Sequence, residues 1–202
     1  GNIGTSEQAD FLIKLGVQGI KIGIGPGKMC TTRLATKIGV PQLYAILEIY
    51  WNLMARYDYK AEDIPPLCAD GGILNGGDVL AALMAGASSV MIGTKFAGTK
   101  ETPGNSYPKG GKEIKRIRGM ASLEALISRY EAEGVADPVM EALKKSPEGK
   151  DEEVEVGGSV EDIINELLGG VRSGITHRGV LTLEEARKQF DPFDPYFGFI
   201  RQ

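Results

Sequence analysis

A chain of 202 residues, 42% apolar and 25% charged, has room for one soluble globular domain with a substantial core. Its net charge of −4 gives no support to a nucleic-acid or membrane-surface partner. No run approaches the roughly 18 apolar residues of a membrane span, and no signal peptide opens the chain. Two cysteines, Cys30 and Cys68, read better as reduced thiols of a cytoplasmic protein than as a disulfide. The unusual feature is 28 glycines, many at the ends of apolar runs, where backbone turns sharply or approaches a ligand.

The chain opens on Gly1-Asn2 without Met, so a preceding segment or a cloning remnant is expected. Ser6 to Leu15 has apolar residues at helical spacing, with Ser6 as the expected N-cap. Gly19 to Gly23 predicts a short strand. A Gly/Pro loop follows to Thr32, then a long helix from about Gln42 to Tyr57. Leu67-Cys68-Ala69 predicts a buried strand ending at Asp70-Gly71-Gly72. Asp78 to Ala85 predicts a helix, and Ser89 to Ile92 another buried strand ending at Gly93-Thr94.

Short strand, loop and helix in alternation is the pattern of an α/β fold with a parallel sheet or barrel. In barrels, ligand-binding residues sit in loops after the strands, which here contain Cys30, Asp70 and Gly93-Thr94. The three strand-helix units fall short of the roughly eight of a closed barrel, so roughly the first five are expected elsewhere.

From Lys95 to Gly158 the alternation breaks. A hairpin is predicted over Tyr107 to Arg118 and a helix over Ser122 to Glu133; the charged stretch Lys144 to Glu155 reads as part of a mobile insertion over the barrel mouth. An amphipathic helix is predicted from Val160 to about Leu168. The tail from Phe190 to Gln202, rich in Phe and Asp-Pro, is expected to dock on its own or a neighbouring subunit. The expected organisation is barrel units in 1–94, insertion in 95–158, closing helix in 159–180 and tail in 181–202.

The stretch Gly25-Pro26-Gly27-Lys28-Met29-Cys30-Thr31-Thr32-Arg33 resembles the cysteine loop of the IMP dehydrogenase and GMP reductase family. Further matching segments follow in order: Ala69-Asp70-Gly71-Gly72-Ile73, Val90-Met91-Ile92-Gly93-Thr94, Arg118-Gly119-Met120-Ala121-Ser122, and Gly169 to Gly174 as the end of the last helix. Even Gly1-Asn2 is similar to the family's Gly-Asn after the fifth strand. The resemblance implies the C-terminal part of a TIM (β/α)8 barrel with a flap insertion, in a cytoplasmic homotetramer that needs an N-terminal half-barrel.

It also implies a chemistry. Family members oxidise IMP to XMP with NAD, or reduce GMP to IMP with NADPH, through a covalent bond between the loop cysteine and purine C2. Cys30 is then the nucleophile and Thr32 a hydrogen-bond partner near the thiolate or leaving group. Asp70 takes the ribose hydroxyls, and Gly72, Gly93 and Thr94 offer N–H groups and a hydroxyl to the phosphate. Lys28, Gly119 and Met120 join the nucleotide site, and Glu148, within Ser146 to Lys150, contacts the purine. Asn2 and Gly23 fall to the dinucleotide, and carbonyls of Gly25, Gly27 and Cys30 to potassium. Arg129-Tyr130 matches the pair that activates water for hydrolysis in the dehydrogenases, which makes the NAD-dependent dehydrogenase of purine nucleotide biosynthesis the preferred reading. An NADPH-dependent reductase is the second, favoured by Glu148 followed by Lys150. A nucleotide-binding fragment without catalysis of its own is the third.

Three departures mark a divergent branch whose nucleotide need not be IMP or GMP: Lys28 where the family usually has Ser, Ile117 where it has Tyr, and a long Ile49 to Pro66 connection carrying Trp51 and several tyrosines. Cys68 reads as a small buried hydrophobe. Glu148 lies in a charge run of the kind that is usually a solvated face, and Arg129-Tyr130 has the alternative of an ordinary exposed helix pair. The single histidine, His177, reads as structural or exposed, and no metal-ligand cluster suggests zinc.

Overall fold

The computed structural model describes residues 1–145 and 147–190. Its elements run α1 (Ser6–Lys14), β1 (Ile20–Ile22), α2 (Thr32–Thr36), α3 (Gln42–Arg56), β2 (Leu67–Asp70), α4 (Gly76–Met84), β3 (Ser89–Met91) and α5 (Thr94–Ala97). Then come β4 (Ser106–Lys109), β5 (Lys112–Arg118), α6 (Leu123–Ala132), α7 (Pro138–Leu143), β6 (Asp151–Glu155), α8 (Val160–His177) and α9 (Leu183–Lys188). They divide into two compact units. The first holds Gly1–Pro26, Val40–Ile92 and the chain from Ile164; the second holds Gly27–Gly39 and Gly93–Ile163. The cysteine loop thus groups with the segment that interrupts the strand-helix alternation.

In the first unit β1, β2 and β3 form a parallel sheet in sequence order, with Ile22 opposite Ala69 and Asp70 opposite Met91. Residues alternate across a strand. Ile20, Ile22, Leu67 and Ala69 are buried in a core with Ala45, Ile46, Ile49 and Leu53, which line one face of α3 at helical spacing. Lys21, Cys68 and Asp70 point to the other face. The prediction that Ser89 to Ile92 is buried is corrected: Ser89 and Met91 are exposed, Met91 by 44%, because they stand in register with Cys68 and Asp70 on the sheet face away from the core. Cys68 is half-buried rather than buried, and neither cysteine is in a disulfide.

Ser6 is not the cap of α1. Thr5 takes that place and accepts from the Gln8 N–H, while Ser6 is buried and binds Glu48 through both its N–H and its hydroxyl. On α4 the cap is a reciprocal box between Asn75 and Asp78. The last long helix does not end near Leu168 but continues through Gly169, Gly170 and Gly174 to His177, which is exposed in its final turn. Two of these glycines, Gly170 and Gly174, persist in α8 because α4 lies against them. A Cβ on Gly170 would stand 2.8 Å from Gly76 Cα, and one on Gly174 2.2 Å from Leu80 Cδ2. Phe190 is buried with Leu80, Met84 and Ala186; the remaining tail, 191–202, lies outside the described residues.

In the second unit β4, β5 and β6 form an antiparallel sheet. Gly110 and Gly111, both with positive φ, close the predicted hairpin. The charged stretch before Glu155 contains the strand β6, because its acidic residues face the basic ones of β5. Arg116 Nη2 lies 3.0 Å from Asp151 and Lys112 Nζ 2.5 Å from Glu155. The short helices α2, α5, α7 and α9 are too brief to leave a readable period. No helix among the described residues is long and apolar enough to cross a membrane.

Candidate functional site

Cys30 sits on a tight turn of the second unit, its N–H donating to Gly27 O at 3.0 Å. The loop is laced to the segment around Gly149. Thr31 N donates to Glu148 O at 2.8 Å, Lys150 N donates to Met29 O at 3.0 Å, and Cys30 pairs with Gly149 in an isolated antiparallel bridge. A third strip of backbone, Gly119 to Ser122, lies on these two: Gly119 N donates to Lys150 O and Glu148 N to Ala121 O, each at 3.0 Å. Glycine is required where the strips touch. A Cβ on Gly149 would stand 2.7 Å from Ser122 N, and one on Gly119 3.0 Å from Met29 O.

This lacing aligns three side chains. The Cys30 thiol donates to Thr32 Oγ1 at 3.1 Å, and the Thr32 hydroxyl donates to Glu148 Oε2 at 2.5 Å. All three are half-buried. The direction of these bonds gives the thiol proton a route through one hydroxyl to a carboxylate, which is the arrangement that a cysteine nucleophile needs.

The other expected residues of this unit are placed less directly. Lys28 Nζ pairs with Glu152 Oε1 at 2.8 Å, and the ammonium holds the Glu152 carboxyl below its usual value. Met120 is 90% exposed beside the loop strip. Gly93 caps the short α5 that Thr94 begins, with open space where its side chain would be. Arg129 on α6 is exposed and bonded to Glu133 at 2.7 Å, while Tyr130 is half-buried. Among the described residues no hydrogen bond joins either to Cys30, Thr32 or Glu148. Ser146, part of the expected purine segment, lies outside the described residues.

The first unit holds a separate cluster at the ends of β1 and β2. Asp70 Oδ2 accepts from Asn2 Nδ2 at 2.9 Å and lies 3.0 Å from Lys21 Nζ. Asn2 Nδ2 also donates to Gly23 O at 2.9 Å. Gly23, with φ of +147°, brings its backbone so near β2 that a Cβ would stand 2.4 Å from Asp70 O. Gly25 and Gly72 have positive φ in the turns that follow β1 and β2. Gln42 Nε2 donates to Ile22 O at 2.9 Å beneath these turns.

Sequence reading missed Lys21 and Glu152. Lys21 had a signal, since a lysine inside a three-residue strand must face away from the core and so towards Asp70. Glu152 had none, because nothing in an acidic run marks which carboxylate meets Lys28.

The family model described as the IMP dehydrogenase / GMP reductase domain matches residues 1–193. The chain belongs to this family. IMP dehydrogenases and GMP reductases are oxidoreductases that use NAD(P). The chain is 40% identical over 189 residues to the inosine-5′-monophosphate dehydrogenase of Aquifex aeolicus, a match that covers 94% of this chain and 37% of that protein. It is 42% identical over 190 residues to the GMP reductase of Leishmania donovani, again covering 94% and 37%. A solved structure of a GMP reductase variant from Trypanosoma brucei, in complex with guanosine 5′-monophosphate, superposes with a TM-score of 0.80 at 39% identity, covering 94% of this chain and 36% of that one. The chain thus spans little more than a third of the length of these family members.

Proposed function

We propose that this chain is the C-terminal part of a TIM (β/α)8 barrel, with 95–158 as its flap insertion, and that it carries the nucleophile of an IMP dehydrogenase-like oxidoreductase. The observation behind this reading is the hydrogen-bond chain from Cys30 through Thr32 to Glu148. The Cys30 thiol loses its proton along that chain and the thiolate adds to C2 of IMP. A bound NAD would supply the acceptor for the hydride that leaves C2 with its electron pair. The resulting thioimidate at Cys30 takes up water, the S–C2 bond breaks, and XMP and the thiol are released. By the family resemblance, the first unit would supply Asp70 for the ribose and Gly72 for the phosphate, and the second unit Gly93, Thr94 and Lys28 for the phosphate and Gly119, Met120 and Glu148 for the base. Lys28 reaches phosphate by exchanging Glu152 for it.

Asn2 and Gly23 stand for the dinucleotide site. The donor chemistry suits a polar ligand, since the Asn2 amide already bridges Gly23 O and Asp70. Potassium would be held by the hard carbonyl oxygens that the resemblance assigns to it, those of Gly25, Gly27 and Cys30; Gly27 O keeps one lone pair beyond the one engaged by the Cys30 N–H. The active species in this reading is a cytoplasmic homotetramer with the preceding barrel strands in place, and the 202 residues alone bind nucleotide without turnover.

A second reading, NADPH-dependent reduction of GMP to IMP, is favoured by one observation. Arg129, the residue expected to activate the hydrolytic water, is engaged by Glu133, whereas Thr32 and Glu148, once they have taken the Cys30 proton, would return it to ammonia as it leaves C2. Assays of the chain, expressed with any coding sequence that precedes it in its gene, separate the two. Production of reduced nicotinamide from IMP and NAD supports the dehydrogenase, and its consumption with GMP the reductase. Neither reaction, in a folded protein that binds both cofactors, contradicts the assignment.

A further inference from the structure

The carboxylate of Asp70 is held asymmetrically. Its Oδ2 receives two donors, the Asn2 amide at 2.9 Å and the Lys21 ammonium at 3.0 Å. Two donors fill the two lone-pair directions of one carboxylate oxygen. Oδ1 accepts from no protein group among the described residues, and the side chain is 26% exposed. The donors come from separate stretches of chain. Asn2 precedes Ile3, which pairs with Ile22 of β1, and Lys21 lies within β1, one strand away from Asp70. Strand alternation sets Lys21 and Asp70 on the same sheet face, and the Met91 sulfur, 3.9 Å from Lys21 Nζ, lies beside the ammonium.

We propose that Lys21, with Asn2, is a positioning residue that fixes the Asp70 carboxylate so that Oδ1 faces outward as the acceptor for a sugar hydroxyl pair. The inference rests on the reading of Asp70 as the ribose contact. A carboxylate free to rotate offers either oxygen and loses part of its preference for a diol. One clamped through Oδ2 presents a fixed acceptor, and its charge is partly balanced by the ammonium without the loss of Oδ1. Lys21 does not touch the nucleotide in this account and acts through Asp70.

The experiment is calorimetric binding of GMP and of 2′-deoxy-GMP, and of the IMP pair, to the chain expressed with any preceding coding sequence. Asp70→Ala is measured first and is expected to abolish the preference for the ribonucleotide. If the preference survives, the reading of Asp70 is wrong and the inference falls with it. Lys21→Met is then expected to weaken ribonucleotide binding about tenfold while 2′-deoxynucleotide binding changes less than about twofold. Lys21→Arg, which keeps a cation in reach, is expected to restore most of the preference and serves also if the methionine variant is poorly folded. An equal loss for both nucleotides in Lys21→Met, or no loss for either, or a failure of Lys21→Arg to retain the preference, overturns the positioning role.

Discussion

The Thr32 hydroxyl donates to Glu148 Oε2 at 2.5 Å although 116 positions of chain separate them. The contact exists because Thr31 and Lys150 exchange backbone hydrogen bonds with Glu148 and Met29, setting the two segments side by side. Proton transfer by a positioned group contributes about 10²–10⁴ in rate. In the chain expressed with any coding sequence that precedes it in its gene, Thr32→Val and Glu148→Gln are therefore each expected to lower kcat by about that factor, Thr32→Val with little change in KM, and the double variant to lose little more kcat than either single one. Steady-state kinetics of the three variants check this. Additive losses would mean that the two residues do not act as one path.

The glycines of α8 predict opposite outcomes at adjacent positions. A Cβ on Gly169 would meet nothing within 4 Å, whereas one on Gly170 meets the backbone of Gly76 at 2.8 Å. Alanine gains up to about 1 kcal/mol of helix propensity at either site. At Gly170 that gain is outweighed by overpacking worth about 1–3 kcal/mol, because backbone cannot yield as a side chain does. Gly169→Ala should raise Tm and Gly170→Ala lower it in thermal melts.

Lys115 is 6% exposed, and its ammonium donates to the carbonyls of Thr99, Lys100 and Thr102 at 3.0, 3.3 and 2.6 Å. Three carbonyls meet the donor capacity of one ammonium, so it is satisfied without a carboxylate. Lys115→Met leaves those carbonyls without their donor and is expected to cost about 1–3 kcal/mol. Amide exchange should rise first in the turn between α5 and β4. Unchanged exchange there would argue that the turn holds itself.

The Lys28–Glu152 pair predicts a pH dependence. The Lys28 ammonium lowers the Glu152 carboxyl, so the pair contributes stability that is fully present above the unfolded glutamate value of about 4.3 and fades as pH falls through the lower folded value. The difference in Tm between the parent and Lys28→Met should thus be constant near neutrality and shrink below about pH 4. A difference that persists to acid would assign Lys28 a role apart from Glu152.

These residues show why some of the molecule was legible and some was not. The strands β1 and β2 and the helix α3 were readable because their apolar period is tied to one core. The hairpin was readable from Gly110-Gly111. The true length of α8 was not, since glycine reads as a helix end unless the close approach of α4 is known. Nor was β6, whose acidic residues suggest a solvated loop until the basic face of β5 is set beside them. At the site, Cys30 and Asp70 stood out through the glycines beside them, and Thr32 through the family resemblance alone. Arg129 and Tyr130 matched a motif, but adjacent helical residues point about 100° apart, and the geometry sends Arg129 to Glu133.

In the proposed function Cys30 is a nucleophile beside a bound purine nucleotide. The most direct measurement is the rate of thiol alkylation at Cys30, read by peptide mass spectrometry with Cys68 as the internal reference, in the presence and absence of IMP or GMP. One of these nucleotides is expected to slow alkylation of Cys30 by about tenfold or more and to leave Cys68 unchanged. Equal labelling of Cys30 with and without saturating nucleotide would contradict it.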